Sequence, residues 1–448
     1  ASPSPNATGH LIFNSVVSLL QLWPNTMWPA GHSIVPASIP AGTVLYHGWT
    51  AEEQGPGRST DGIPKGPEWL AFDPEHAYIF CCNTLVFSTM RQLNLLYFDG
   101  SSAAKALRSG STRNLTSMGT QNLVAWGELR PEGEHDELGR IQALCDWGRR
   151  YSLDGFVRMD LSIRVTTCRM HSGAVCLRML LRTHQMDGAG PDSSITIIQS
   201  IVSGSWHHRD PGETRVHLDV SSLVTFYDPA LQSLVGRRSG IPRFQHQLMG
   251  ISSADVQAKL DELRDVLTRE AGGGGVDWRS VTRVIIDRYA SRLTQLDYTL
   301  RSGVLFANAS EQAFAARDQL LVMLSPFYTT NDMPPRDARP DGAWLSDVVR
   351  RCSSEPVIGP TFTLDTPQER IIRKAIKETV REICRRLGLM WLDAFDIEQA
   401  NERTAAHAID GWRTHIMELM TWLDWSVWSV CRPSCALDEF CYLSTRPY

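Results

Sequence analysis

No stretch of this 448-residue sequence approaches eighteen uninterrupted apolar residues, so no membrane-spanning helix is expected. There is no excess of basic residues either. The 44 Lys and Arg stand against 49 Asp and Glu, a net charge of -5, and the arginines are spread through the chain. That excludes a nucleic-acid binder working by phosphate neutralisation. Also missing are a Gly-x-Ser-x-Gly elbow, a Gly-rich phosphate loop ahead of a helix, and His-Glu-x-x-His. Serine hydrolase, P-loop and zincin chemistry are thereby disfavoured. His207 and His208 are adjacent and would face opposite sides of a strand, while His407 and His415 lie two helical turns apart. Neither pair has ligand spacing, so no metal is expected. There is no internal repeat, and the one low-complexity segment is the four glycines 272–275.

What is present points to an oxidising compartment. The opening Ala1-Ser2-Pro3-Ser4-Pro5 has no Met and reads as a mature terminus after removal of a secretory signal. Ten cysteines suit disulfides, with Cys431, Cys435 and Cys441 expected to tie down the tail and vicinal Cys81 and Cys82 expected to bond different partners. Three sequons, at Asn6, Asn114 and Asn308, fit a secreted glycoprotein.

The texture of the chain changes near residue 245. From Pro36 to about Asp228, β-like runs alternate with helical ones: strands are expected at Thr43–Tyr46, Leu93–Phe98, Gly155–Met159, Ser194–Ile201, Thr214–Leu218 and Leu223–Tyr227, with helices at Pro74–Met90 and Glu137–Tyr151. Beyond it, amphipathic helices are expected at Ser253–Ala271, Trp278–Leu300, Pro367–Leu387 and Asn401–Val430. The expected architecture is α+β: an N-terminal extension (1–35), a mixed or antiparallel β core with flanking helices (36–245), and a mostly α-helical region with a disulfide-tied tail (246–448).

Leu45-Tyr46-His47-Gly48 is an apolar strand that ends in an imidazole beside a glycine, where a ligand can approach the backbone. Trp69-Leu70-Ala71-Phe72-Asp73 then runs into Ala77-Tyr78, and much later Gly212-Glu213-Thr214-Arg215-Val216 opens another strand-like run. In that order these three segments resemble the ADP-ribosyltransferase family, in the branch of diphtheria toxin and the poly-ADP-ribose polymerases. The resemblance implies NAD as substrate and cleavage of its N-glycosidic bond, by glycohydrolysis or ADP-ribosyl transfer. It implies that His47 bonds a ribose hydroxyl, that the Gly48 backbone takes the carboxamide, that Tyr78 stacks on nicotinamide, and that Glu213 holds the 2'-hydroxyl. Tyr46 belongs to the same motif. The family's first stacking tyrosine would fall at Leu70, so only Trp69 or Phe72 could replace it. A fixed carboxylate beside a dry aromatic slot is what a cationic glycosidic transition state needs.

A second constellation is the set of acids at expected strand ends: Asp99, Asp154, Asp160, Asp219 and Asp228, with Glu213 again. Two carboxylates roughly 5 to 10 Å apart would suit a glycoside hydrolase acting on a glycan, and fourteen tryptophans offer sugar-stacking faces. Strand-end aspartates are also turn formers. A non-catalytic interaction protein is the third reading. Trp422, Trp425 and Trp428, spaced by three near the end of the last helix, are expected to pack as core.

Overall fold

The structure is a computed structural model that describes residues 7–21, 23, 31–49, 63–64, 66–78, 83–100, 119–130, 137–160, 162–168, 174–181, 199, 202–204, 209, 211–270, 272–329, 343–354, 363–395, 397–436 and 439. The chain divides into two compact units: residues 18–273 with 426–448, built on a sheet, and residues 1–17 with 274–425, built of helices.

The sheet unit holds ten described strands: β1 (Ser33–Ile39), β2 (Val44–Trp49), β3 (Glu68–Ala71), β4 (Asn83–Thr89), β5 (Leu93–Phe98), β6 (Gly155–Asp160), β7 (Ser162–Thr167), β8 (Ala174–Leu181), β9 (His217–Leu218) and β10 (Val224–Thr225). They run in the order β10-β1-β5-β6-β7-β3-β2-β4-β8, with β9 also on β1. Every pairing is antiparallel except β5 with β6, where Leu95 to Phe98 run beside Gly155 to Arg158. A parallel neighbour needs a long crossover. Here it includes α3 (Gly119–Trp126) and α4 (Glu137–Gly148), which follow α1 (Gly9–Ser18) and α2 (Pro74–Tyr78).

Alternation along the strands gives the sheet two faces. One carries Ile34, Leu96, Phe98, Phe156 and Val224 and packs against Leu123 and Val124 of α3 and Ile141 and Leu144 of α4. The other carries Val35, Leu45, Leu70, Leu85, Leu95, Tyr97, Val157 and Val165, all buried inside the curl of the sheet. The Cys145–Cys168 disulfide ties α4 to the residue after β7, with Cα atoms 5.4 Å apart. The described residues of this unit also include α5 (Gln232–Arg238) and α6 (Ser253–Thr268). The amphipathic pattern of α6 placed it with the helical region. It lies in the sheet unit because its stripe of Val256, Leu263 and Val266 completes the core around Val224 and Phe226.

The helical unit contains α1, all but its last residue, with α7 (Trp278–Arg301), α8 (Ala309–Leu324), α9 (Ala343–Ser354), α10 (Pro367–Ala394) and α11 (Glu402–Leu423). The Cys352–Cys384 disulfide joins α9 to α10. At the start of α10, Thr366 and Glu369 form a capping box. The buried Glu369 carboxylate also accepts from the backbone N–H of Gly274 (3.0 Å) and Asp365 (3.0 Å) and from the Trp278 indole (3.3 Å). A Cβ on Gly274 would lie 2.1 Å from the Thr363 carbonyl, so this glycine lets the two segments touch. Of the three tryptophans expected to pack as core, Trp425 is buried and stacks on Phe13 at 6.0 Å, while Trp422 and Trp428 are only partly buried.

An α+β unit followed by a mostly helical region is therefore the observed architecture, with local differences. The helix expected over Pro74–Met90 ends at Tyr78, and Asn83–Thr89 is instead β4, paired with both β2 and β8. β1 escaped the sequence reading because Pro36 interrupts it. That proline sits between the positions paired to β10 and those paired to β9, where a missing N–H costs least. Most of the strand expected over 194–201 and the Cys81-Cys82 pair lie outside the described residues. No helix among the described residues is long and apolar enough to cross a membrane.

Candidate functional site

Tyr46 and His47 are consecutive on β2, so pleating sends them to opposite faces of the sheet. Tyr46 and Val44 face an open-sided cleft of about 370 Å³, lined also by the turn residues Ala41, Gly42 and Thr43, by Phe72, and by Arg215. His47 turns the other way with Leu45 and is buried, its Nδ1 3.0 Å from the Trp69 carbonyl oxygen. Gly48 is where α2 comes closest to β2: a Cβ there would lie 1.9 Å from the Ala77 carbonyl. Tyr78 ends α2, and its side chain lies outside the described residues.

Trp69 is committed elsewhere. Its indole carries the Arg158 guanidinium 4.0 Å above the ring, and its Nε1 donates to Glu137 at 2.8 Å. Glu137 also pairs with Arg158 at 2.8 Å and with Arg140, so this cluster fastens α4 to β3 and β6. Phe72, not Trp69, supplies the aromatic wall of the cleft.

Glu213 lies in the turn ahead of β9. Gly212 enters that turn with φ +95°, and the Glu213 N–H donates to the Leu20 carbonyl at 3.0 Å. Its carboxylate, 1% exposed, accepts three bonds from Arg215: the backbone N–H (2.8 Å), Nε (2.7 Å) and Nη2 (2.6 Å). Arg215 in turn donates from Nη1 to the Phe72 carbonyl (2.9 Å) and from Nη2 to Asp73 (3.1 Å), with its guanidinium 5.1 Å over the Phe72 ring. Burial works against the Arg215 charge, but Glu213 and Asp73 outweigh it and hold the guanidinium above its ordinary pKa. Two carboxylates against one guanidinium give these three side chains a net negative charge. Arg215 and Asp73 were not singled out from the sequence. The signal was there, as a Glu-x-Arg spacing in a turn and an acid just past the Phe72 strand end.

Thus Tyr46, Phe72 and the partner of Glu213 share one cleft, and the imidazole of His47 does not face it. The strand-end acids are more scattered. Asp99 follows β5 and Asp154 precedes β6; because these strands are parallel, the two acids stand at opposite ends of the strands, roughly 17 Å apart for five residues of strand. They cannot serve as an acid–base pair. Asp154 is held by Arg91 at 2.7 Å, and Asp99 is buried beside Tyr97. Asp219 accepts from the Ser221 hydroxyl and donates its N–H to the Pro36 carbonyl at 2.9 Å, as a turn former does. Asp160 ends β6, and its side chain lies outside the described residues. Among the described residues no group of three His, Cys, Asp or Glu side chains could hold a metal ion. Of the sequons, Asn6 and Asn114 lie outside the described residues. Asn308 is exposed and caps α8, its Oδ1 accepting from the Glu311 N–H at 2.9 Å. Cys431 is disulfide-bonded.

Residues 5–85 and 81–189 match the family model described as the YPL277C N-terminal domain. The chain is similar to two proteins of Saccharomyces cerevisiae: uncharacterized protein YPL277C, 29% identical over 223 residues (39% of this chain and 43% of that protein), and uncharacterized protein YOR389W, 27% identical over 222 residues (39% and 33%). The match thus spans less than half the length of these curated relatives, and no solved structure matches the chain. The stretch covered by the family model takes in Tyr46, His47, Gly48, Trp69, Phe72 and Tyr78 and stops short of Glu213.

Proposed function

We propose that the sheet unit binds NAD at the cleft of Tyr46, Phe72 and Arg215 and cleaves its N-glycosidic bond, with Glu213 as the essential carboxylate. The observation that carries this reading is the convergence of Tyr46, Phe72 and Arg215 on one cavity, with the buried Glu213 held directly behind Arg215. At about 370 Å³ it is at the small end for ligand sites, enough for the nicotinamide riboside portion with the rest of the dinucleotide outside. Aromatic walls suit a planar ring. The net negative charge of Glu213, Asp73 and Arg215 suits a cationic one, and favours positive charge growing on the ribose as nicotinamide departs.

Glu213 is buried and Arg215 is the exposed member of the pair, its side chain 29% accessible. Substrate therefore reaches the carboxylate by displacing the guanidinium toward solvent, while Glu213 stays anchored through the Arg215 N–H. His47 has no contact with substrate in this scheme; it ties β2 to β3. In the same reading, the Cys145–Cys168 and Cys352–Cys384 disulfides and the exposed Asn308 sequon belong to a secreted glycoprotein working in an oxidising compartment. The test is nicotinamide release from NAD by the disulfide-intact chain, with Glu213→Gln, Phe72→Ala and Tyr46→Ala beside it. Turnover lost in Glu213→Gln and weakened binding in the aromatic variants support the proposal. NAD binding without turnover would leave a binding module, and no binding would sink the reading.

A further inference from the structure

Away from the cleft, the sheet unit buries a second polar cluster that the proposed chemistry does not use. His32 lies just before β1, with its Nδ1 3.4 Å from the Tyr227 hydroxyl and its ring 5.4 Å from the Tyr227 ring. Around the same Tyr227 ring stand the His246 ring at 5.8 Å and the Arg238 guanidinium at 4.7 Å. Arg238, at the end of α5, donates to the Gln247 carbonyl at 3.0 Å and to the Phe226 carbonyl, and His246 Nε2 donates to the Ile241 carbonyl at 2.9 Å. Arg243 donates to the Ser426 hydroxyl at 2.8 Å, and Ser426 lies 3.3 Å from the Ser18 hydroxyl. From the end of β5, Asp99 faces Arg243 and accepts from Tyr97 at 3.1 Å. All these side chains are buried.

The ionisable and charged groups facing the imidazoles, among the described residues, are therefore Arg238 of α5, Arg243 of the following turn, Tyr227 beyond β10, and each imidazole to the other; Asp99 of β5 faces Arg243. Two potential cations sit beside two permanent ones, with one carboxyl among them. Val17 to Ser18 and Trp425 to Ser426 are points where the chain passes between units, so the cluster fixes both returning segments in the sheet unit. We propose that this cluster is an acid-sensitive latch: charging His32 and His246 beside Arg238 and Arg243 opens it and frees the Ser426 segment.

The direction of the linkage follows from the environment. Burial, then Arg238, His246 and Arg243, hold His32 well below its ordinary value. Burial foremost, then Arg238 and Arg243, bring His246 down to about 4, against the opposing bond to Ile241. Burial pushes Asp99 up to about 7, against the bond from Tyr97 and the charge of Arg243. Between pH 6 and 5 the closed cluster holds two neutral imidazoles and a protonated carboxyl. Opening takes up two protons on the imidazoles and releases one from Asp99, a net uptake of one. The opening constant then rises about tenfold for each pH unit of acidification.

The experiment is hydrogen exchange of the segment around Ser426–Ser429 in the full chain between pH 6 and 5, corrected for the intrinsic pH dependence of exchange. The wild type should open about tenfold more readily per pH unit. His246→Gln removes one uptake and should make the profile flat. Asp99→Asn removes the opposing release and should steepen it to about a hundredfold per unit. Asp99→Asn keeps size and shape, so it decides the matter even if His246→Gln fails to fold. A wild-type opening constant independent of pH, or an unchanged slope in Asp99→Asn, would overturn the latch.

Discussion

Removing Arg215 should harm the fold more than removing the acid it holds. Glu213 is almost wholly buried, and the Arg215 side chain donates two bonds to its carboxylate. Arg215→Met takes both guanidinium bonds from that buried carboxylate, and also removes the Arg215 donors to the Phe72 carbonyl and Asp73. Stranding a buried charge costs about 3 to 5 kcal/mol. Glu213→Gln leaves a guanidinium that is 29% exposed and still bonded to Asp73 and Phe72, so water and the remaining acid absorb part of the loss. Its cost should be about 1.5 to 3 kcal/mol, the range for a hydrogen bond to a charged group. The double variant should be more stable than Arg215→Met alone, giving a coupling of about 2 kcal/mol. Denaturant unfolding of the four proteins, followed by a probe in the sheet unit, measures this. Equal costs for the two single variants, or less than about 1 kcal/mol for Arg215→Met, would refute the assignment of Glu213 as the desolvated partner.

The remaining expectations are simpler to state. Gly48→Ala would drive a methyl into the Ala77 carbonyl; backbone must move, and a loss of about 1 to 3 kcal/mol together with weaker ligand binding is expected in thermal melts and titrations. Glu369→Ala removes the common acceptor of Gly274, Asp365 and Trp278, and the helical unit should lose about 3 to 5 kcal/mol by denaturant unfolding. Asp99 has a folded pKa of about 7, above its ordinary 3.8, so the fold favours its neutral form. Stability from this group is present below pH 3.8 and lost as pH rises toward 7. Asp99→Asn should therefore match the wild type near pH 4 and exceed it at pH 7, by at most roughly 4 kcal/mol for a shift near three units; unfolding curves at the two pH values test the sign.

The strands and helices with undisturbed periodicity were legible in the chain. Leu93–Phe98 and the helix starting at Trp278 fall where their patterns put them. β1 was hidden by Pro36, and β4 by a helical start at Pro74 that stops after five residues. Alternation alone implies that Tyr46 and His47 cannot both face one cleft, but it does not say which of them does. The grip of Arg215 on Glu213 was not, because it depends on a turn set by Gly212 and on Phe72 and Asp73, about 140 residues earlier in the chain. Nor did composition reveal the His32–Tyr227–His246 cluster, whose members are near only because β10 returns beside β1.

The most direct measurement is nicotinamide release from NAD by the purified, disulfide-intact chain, run with wild type and Glu213→Gln at matched folded concentration. Release by the wild type, abolished in the variant while NAD still binds, is the expected result. No release and no binding by a folded wild type, or equal release by both proteins, would contradict a catalytic Glu213 at the Tyr46–Phe72 cleft.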